Sequence, residues 1–170
     1  PDIFSRISGF FARIQYSIQE AKIHTTSHAY ALDSLQVMDL AHRGIHYRDF
    51  LSFVEYELAR DLDPARTPDT VPKARLSRQQ RHHPLAPTVK LEAPSQPQHA
   101  RQLTVTCADR TGLLHAIAEV FLKHHITLDA ARIDTLGERA EDSFMIHGER
   151  LDTPEGAEAF EADLLAVLKG

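Results

Sequence analysis

The chain has 170 residues, of which 42% are hydrophobic and 25% charged, and its formal net charge is −5. These values are ordinary for a soluble globular protein with two small domains, and the negative charge gives no electrostatic reason to expect a nucleic-acid partner. No apolar run approaches the roughly 20 residues of a membrane helix, and the single cysteine excludes an internal disulfide. We therefore expect a cytoplasmic protein that binds neither nucleic acid nor membrane.

The first sixty residues predict a helix, two strands and a second helix. Apolar residues at helical spacing place the first helix at 3–14, and alternation places strands at 17–27 and 30–39. The second helix, at about 46–61, has one apolar stripe. That stripe consists of Tyr47, Phe50, Leu51, Val54 and Leu58.

Seven of the nine prolines lie between residues 62 and 100. The stretch KARLSRQQRHH at 73–83 carries four basic residues and no acidic one. It is either a solvated linker, the reading we favour, or a basic contact for a neighbouring domain or a phosphorylated partner. Residues 87–93 alternate like a strand, and the turn Ala93–Pro97 follows. We predict that this strand pairs with the next one, at 101–107, because the second sheet would otherwise keep an exposed edge.

The second half predicts strand, helix, strand, strand and helix. Strand 101–107 has Leu103, Val105 and Cys107 on one face, and strands at 127–136 and 140–148 form a hairpin. The turn between the first strand and its helix is Asp109-Arg110-Thr111-Gly112, in which Asp109 or Thr111 is expected to cap the helix. Thr153 and Pro154 predict the start of the last helix.

The two halves repeat each other. Residues 3–37 (IFSRISGFFARIQYSIQEAKIHTTSHAYALDSLQV) align with 113–146 (LLHAIAEVFLKHHITLDAARIDTLGERAEDSFMI), with one slip of a residue. A repeat of this length indicates domain duplication. The chain begins where the second copy has its turn, with Pro1-Asp2 in place of Thr111-Gly112. We therefore expect a fragment whose first module lacks its first strand.

The motif search finds no catalytic residues and no metal site. Cys107 fits a small core residue, and His24 and His28 have no third ligand nearby. His82-His83 lies in the linker, while His124-His125 ends a helix. The sequence Asp61-Leu62-Asp63 fits a helix exit better than a metal motif. Two modules without catalytic residues suggest a sensor.

The turn is the one candidate ligand site. A helix start offers backbone N–H groups to a carboxylate, Gly112 permits close approach, and Asp109 offers a partner for an ammonium group. Together they suit a free amino acid, with Thr127 on the next strand alongside. A helix start without a ligand explains the same residues equally well.

The motif DRTGLL, followed by an amphipathic helix, a strand and a hairpin, resembles the ACT domain. The resemblance implies an α+β fold of two ferredoxin-like βαββαβ modules, each an antiparallel sheet with helices on one face. We place the first module at 1–62, a linker at 63–86 and the second module, including strand 87–93, at 87–170. The segments IHTTSHAYALDSLQVMD (23–39), RLSRQQRHHP (75–84) and ARIDTLGERAEDSFMIHGE (131–149) resemble the C-terminal tandem ACT region of the bifunctional uridylyltransferase/uridylyl-removing enzymes that act on the PII protein.

This resemblance implies a regulatory module that senses L-glutamine and is not itself an enzyme. The implied partners are the catalytic domains of the same chain and, through the whole enzyme, PII; Mg²⁺ and UTP would belong to those catalytic domains. Two alternatives stay open: a ligand-free structural or dimerisation pair, and a pair that senses another amino acid. Pairing of modules within or between chains is also open. The implied ligand-binding residues are Asp109, Arg110, Thr111, Gly112, Leu113, Leu114, Thr127, Leu128 and Asp129.

Overall fold

The structure is a computed structural model that describes residues 3–25, 31–41, 44, 46–72, 80, 84–92 and 100–169. Pro1-Asp2, His28, the Ala93–Pro97 turn and all of the basic stretch 73–83 except Gln80 lie outside these residues. The described elements, in chain order, are α1 (Ile3–Arg13), β1 (Tyr16–Thr25), β2 (Ala31–Asp39), α2 (Tyr47–Asp61), β3 (Thr88–Leu91), β4 (Arg101–Ala108), α3 (Leu113–Lys123), β5 (Thr127–Leu136), β6 (Arg139–His147), a 3₁₀ turn (Glu149–Asp152) and α4 (Pro154–Lys169).

All six described strands form one antiparallel sheet in the order β2-β1-β5-β6-β4-β3. The predicted hairpin is present, since β3 pairs with β4 from Thr88 opposite Thr106 to Leu91 opposite Leu103. The edge of β4 that faces away from β6 is therefore covered. The fold is α+β with ferredoxin-like modules, as the sequence predicts.

The two modules join through β1 and β5. Five residue pairs cross this seam, from Glu20 opposite Asp134 to His24 opposite Ala130. At its centre, Lys22 faces Arg132, which is its own counterpart in the sequence repeat. An approximate two-fold axis therefore passes between these two residues, and the modules pair side by side within one chain.

Helices cover one face of the sheet, and α1 packs against α3 above the seam. Leu103, Val105 and Cys107 of β4 point into this layer and are fully buried, as their alternation predicts. On the opposite face the side chains of Lys22 and Arg132 are exposed. The alternation of each strand therefore separates a helix-covered core from a solvent-facing surface.

The two outer helices have the same apolar spacing but different burial. Phe160, Leu164 and Leu168 of α4 are buried, whereas the equivalent residues of α2 are only half-buried. In the second module β4 lies against β6, but no strand among the described residues lies against the outer edge of β2. The α2 stripe thus has a smaller sheet to pack against, and Tyr47 remains 70% exposed.

The two predicted helix starts differ in outcome. The last helix begins at Pro154, and Thr153 Oγ accepts a hydrogen bond of 3.2 Å from the Gly156 N–H, as expected. The predicted side-chain cap on α3 is wrong, because its N-cap is Gly112 in the left-handed conformation, with φ of 79° and no capping side chain. Glycine adopts this left-handed conformation easily, but it has no side chain that could cap the helix.

Candidate functional site

The Asp109–Gly112 turn faces the first module across the seam. It lies opposite the end of α1 and the start of β1, so the cleft between them, here called the turn cleft, belongs to both modules. Its lining residues are Ser8, Phe11, Ala12, Tyr16, Ser17, Ile18 and Asp109 to His115. Six of the nine residues predicted as ligand-binding, Asp109 to Leu114, are in this lining.

The turn cleft is nearly closed in this conformation. Its cavity volume is about 20 Å³, which is room for about one water molecule. A free amino acid is several times larger than water. Binding of such a ligand in the turn cleft therefore requires the turn and the first module to separate.

Three contacts hold the turn in place. The Asp109 N–H donates to the Glu138 carbonyl at 2.9 Å, and Gln80 Nε2 donates to the Asp109 carbonyl at 2.7 Å. The guanidinium of Arg110 donates to the carbonyls of Val167 and Leu168 (3.1 Å to the latter) at the end of α4. Arg110 thereby satisfies carbonyls that a helix end leaves without partners, and it is not directed at a ligand.

The surroundings of Asp109 disfavour the ionised form of its carboxyl group. Burial raises its pKa, while the backbone N–H and the charge of Arg110 partly oppose that rise. An ammonium group placed beside Asp109 would favour the ionised form and lower the pKa again. The carboxyl is therefore suited to bind a cation, which would offset the effect of burial on its charge.

The structure does not bring Thr127, Leu128 and Asp129 to the turn. They follow α3 at the opposite end of the sheet, where Leu128 lines a second, smaller cleft with Phe4 and Ser5 of the first module. Asp129 Oδ2 lies 2.8 Å from His147 Nδ1. Their role in binding stays a prediction, and the expected position of Thr127 beside the turn is wrong.

The two-fold relation explains this difference. Ser17 and Ile18 are the repeat counterparts of Thr127 and Leu128, and it is they that line the turn cleft. The strand that follows the first helix of each module, β1 or β5, thus begins beside the start of the first helix of the other module. The sequence repeat identifies Ser17 and Thr127 as equivalent, but it does not show which of the two lies beside the Asp109–Gly112 turn.

Asp142 on β6 is the most buried carboxyl near the site, with 0% exposure. Its Oδ1 accepts a long hydrogen bond of 3.4 Å from the Asp134 N–H, and its Oδ2 has no hydrogen-bond partner among the described residues. Burial raises the pKa of Asp142 to about 7, and nearby Asp109 and Asp134 add to the rise. Sequence reasoning missed this residue because alternation alone does not mark a carboxyl as buried.

The remaining candidates have structural explanations. Cys107 is buried, and burial raises its pKa to about 12, so its thiol stays protonated and unreactive at neutral pH. Asp61 is buried and forms an ion pair with Arg13. The described part of the chain contains no group of three or more potential metal ligands, and no described helix is long and apolar enough to cross a membrane.

A larger space lies on the other side of the turn. This helical groove has a volume of about 690 Å³ and runs along α3 and α4. Arg110, Thr111 and Gly112 form part of its wall, as do Val71 and Pro72 from the segment between the modules. The turn therefore separates a closed cleft from an open groove.

Comparison with known proteins agrees with the fold. Residues 101–164, within the second module, match the ACT domain model. The chain is 63% identical over 168 residues to the bifunctional uridylyltransferase/uridylyl-removing enzyme of Thiobacillus denitrificans, and 46% identical over 172 residues to that of Cupriavidus pinatubonensis. Each alignment covers 99% of this chain but 20% of the relative. No solved structure matches the chain.

The chain therefore carries an ACT-domain region of the kind present in these bifunctional enzymes. Because it spans about a fifth of their length, it corresponds to one part of such a protein. The predicted resemblance to this enzyme family is confirmed.

Proposed function

We propose that this chain is the glutamine-sensing regulatory region of an enzyme that uridylylates and deuridylylates the PII protein. In this proposal L-glutamine binds in the turn cleft, and its binding changes the relation between the two modules. The proposal extends to Mg²⁺ as a cofactor and UTP as a substrate of separate catalytic domains, and to PII as the substrate protein of the whole enzyme.

The position of the turn cleft between two modules is the observation that carries the proposal. A ligand that touches both walls binds one arrangement of the modules better than another, and that difference is what shifts a conformational equilibrium. The relatives named above are bifunctional uridylyltransferase/uridylyl-removing enzymes.

Asp109 supplies a chemical reason for an amino acid as ligand. Burial raises the pKa of Asp109, and an ammonium group beside it would lower that pKa again because it favours the carboxylate. The ligand carboxylate would lie toward the N–H groups of the first turn of α3. Affinity should therefore rise with pH through the pKa of the free Asp109.

Isothermal titration calorimetry with L-glutamine tests the proposal. Titrations at a series of pH values should show tighter binding as the pH rises, because an ammonium group favours the ionised form of Asp109. Asp109→Asn should lose this pH dependence and most of the affinity. Asp129→Asn, which changes a carboxyl that lies outside the turn cleft, should bind like the original chain if the turn cleft is the site.

Absence of binding heat for folded protein would refute the glutamine proposal. Competition among glutamine, glutamate, serine and isoleucine would then decide whether another amino acid is the ligand. Equal effects of Asp109→Asn and Asp129→Asn would place the site elsewhere.

The closed state of the cleft favours a second candidate function. A volume of about 20 Å³ and a continuous six-stranded sheet also describe a structural pairing region that binds no ligand. In that case the sedimentation behaviour and amide exchange of the chain should be the same with and without any of the four amino acids.

A further inference from the structure

We propose that the segment Leu62–Pro72, here called the strap, holds the turn cleft closed and must move before a ligand enters. This inference rests on the proposed function for the identity of the ligand. It concerns the segment between the modules, which neither the family match nor the relatives' names assign to any role. The strap leaves the end of α2, crosses α1 and ends beside the Asp109–Gly112 turn.

The first part of the strap is fixed to α1 by two arginines. Arg6 donates hydrogen bonds to the carbonyls of Asp61 (2.8 Å), Asp63 (3.2 Å) and Arg66 (3.1 Å). Arg13 donates to the carbonyl of Asp69 at 3.4 Å and forms the ion pair with Asp61. Hydrogen bonds from a charged donor contribute more to stability than neutral ones. The strap is therefore attached to the first module, although it leads to the second.

The far end of the strap lies against the turn. A methyl group built on Gly112 would lie 3.5 Å from the Pro72 carbonyl oxygen and 3.7 Å from Val71 Cγ1. At Gly9 on α1 the same construction meets Val71 Cγ2 at 3.1 Å and His115 Nδ1 at 3.0 Å. Val71 thus lies beside both Gly9 of α1 and Gly112 of the turn.

The contacts of the strap indicate which movement of the turn it restrains. Val71 and Pro72 line the helical groove and not the turn cleft, whereas Arg110, Thr111 and Gly112 line both. To enlarge the cleft, the turn must move away from Phe11 and Tyr16, and the strap opposes that separation because it is bound to α1 and lies close to Gly112. The groove of about 690 Å³ provides space into which the strap can be displaced.

Arg6→Met tests the proposal, because it removes the hydrogen bonds to the strap carbonyls of Asp63 and Arg66, and the one to Asp61 at the end of α2, but keeps an apolar stem. Val71→Ala is a second variant, which leaves the arginine contacts in place and trims the side chain that lies beside Gly9 and the turn. Arg48→Met, at an exposed position of α2, is the matched control. Each is measured in the intact chain by amide hydrogen exchange of the peptide that covers 109–116, without ligand, and by calorimetry with L-glutamine.

We expect both strap variants to exchange faster at 109–116 and to bind L-glutamine more tightly, by about tenfold for Arg6→Met, which corresponds to about 1.4 kcal/mol. Arg48→Met should change neither quantity. Unchanged exchange in both strap variants would overturn the proposal, as would faster exchange with unchanged or weaker affinity. If no variant binds glutamine, the proposed function fails, while faster exchange would still support the strap as the element that closes the turn.

Discussion

Lys22 and Arg132 face each other across the seam between the two modules, and each is the other's counterpart in the sequence repeat. A two-fold axis at this point places like charges opposite each other. Two residues away along β1, Glu20 lies opposite Asp134, a second like-charged pair whose members are not repeat counterparts. Like charges directly opposite in an antiparallel sheet are destabilising, so the seam carries an unfavourable charge pattern.

Exchanging two charges should strengthen the seam. The double substitution Glu20→Lys and Lys22→Glu puts opposite charges in both cross-strand pairs without changing the net charge. We expect a gain of about 1 kcal/mol in the free energy of unfolding, measured by urea denaturation. The gain should shrink in about 0.5 M salt, because exposed charges are screened.

The control for this exchange lies on β3. Swapping Lys90 and Glu92 preserves their ion pair, which is 3.0 Å long, and Lys90 lies opposite the neutral Thr104. That swap should leave stability unchanged. A similar gain in both double variants would show that the seam charges are not the cause.

Asp142 should make the chain less stable as pH rises. Its pKa is about 7 in the folded chain and near 3.8 when exposed, so the folded state holds the extra proton between these values. The stabilisation is complete below about pH 4 and is lost by about pH 7, with up to about 4 kcal/mol involved. Asp142→Asn removes this dependence because an amide does not ionise.

Urea denaturation at several pH values between about 5 and 8 measures this effect. We expect Asp142→Asn to approach the original chain in stability at the acidic end and to exceed it above pH 7. Parallel pH profiles for the two chains would show that Asp142 is not the titrating group.

Gly112→Val should damage both the turn and the ligand response. The left-handed φ of 79° is strained for any residue with a Cβ, and the added side chain would press toward Pro72. We expect a stability loss of about 2 kcal/mol, at the upper end of the 1–2 kcal/mol of left-handed strain for an ordinary residue, with loss of glutamine binding by calorimetry. Gly137→Ala, at φ of 64° with open space around it, isolates the backbone strain alone.

The outcome for Gly137→Ala separates two explanations. If Gly137→Ala lowers the stability by a similar amount but keeps glutamine binding, the loss of binding in Gly112→Val is caused by damage to the site and not by backbone strain alone. If Gly112→Val also keeps full binding, the ligand does not approach this turn.

The buried ion pair between Arg13 and Asp61 should be a large contributor to stability. The Asp61 side chain is 3% exposed and that of Arg13 is 14% exposed, so removal of either partner leaves a charge without compensation. We expect Asp61→Ala to cost about 3 kcal/mol in the free energy of unfolding. Glu57→Ala, which breaks the more exposed pair with Arg60, should cost less than about 1 kcal/mol.

A double-mutant cycle with Arg13→Met completes this test. The double variant should be more stable than Asp61→Ala alone, because it no longer leaves Arg13 buried without its partner. Additive losses would mean that the two side chains do not interact.

Local patterns in the sequence were sufficient for the elements and their order. Alternation placed Leu103, Val105 and Cys107 on one buried face, and helical spacing found the stripe of α4, because both signals depend only on neighbours along the chain. The helix start at Pro154 followed from backbone chemistry that is equally local. The strand at 87–93 was predicted from the need to cover an edge, and β3 covers it.

The repeat by itself determined that two similar modules exist, and the turn at Asp109–Gly112 marked where a ligand would approach. Only the tertiary structure decided that the modules join at Lys22 and Arg132, so that Ser17 of one module, and not Thr127 of the other, lines the turn cleft. The same applies to the burial of Asp142 and to the contact of Val71 with the turn. These features depend on contacts between residues far apart in the chain, and such contacts leave no periodic signal in the sequence.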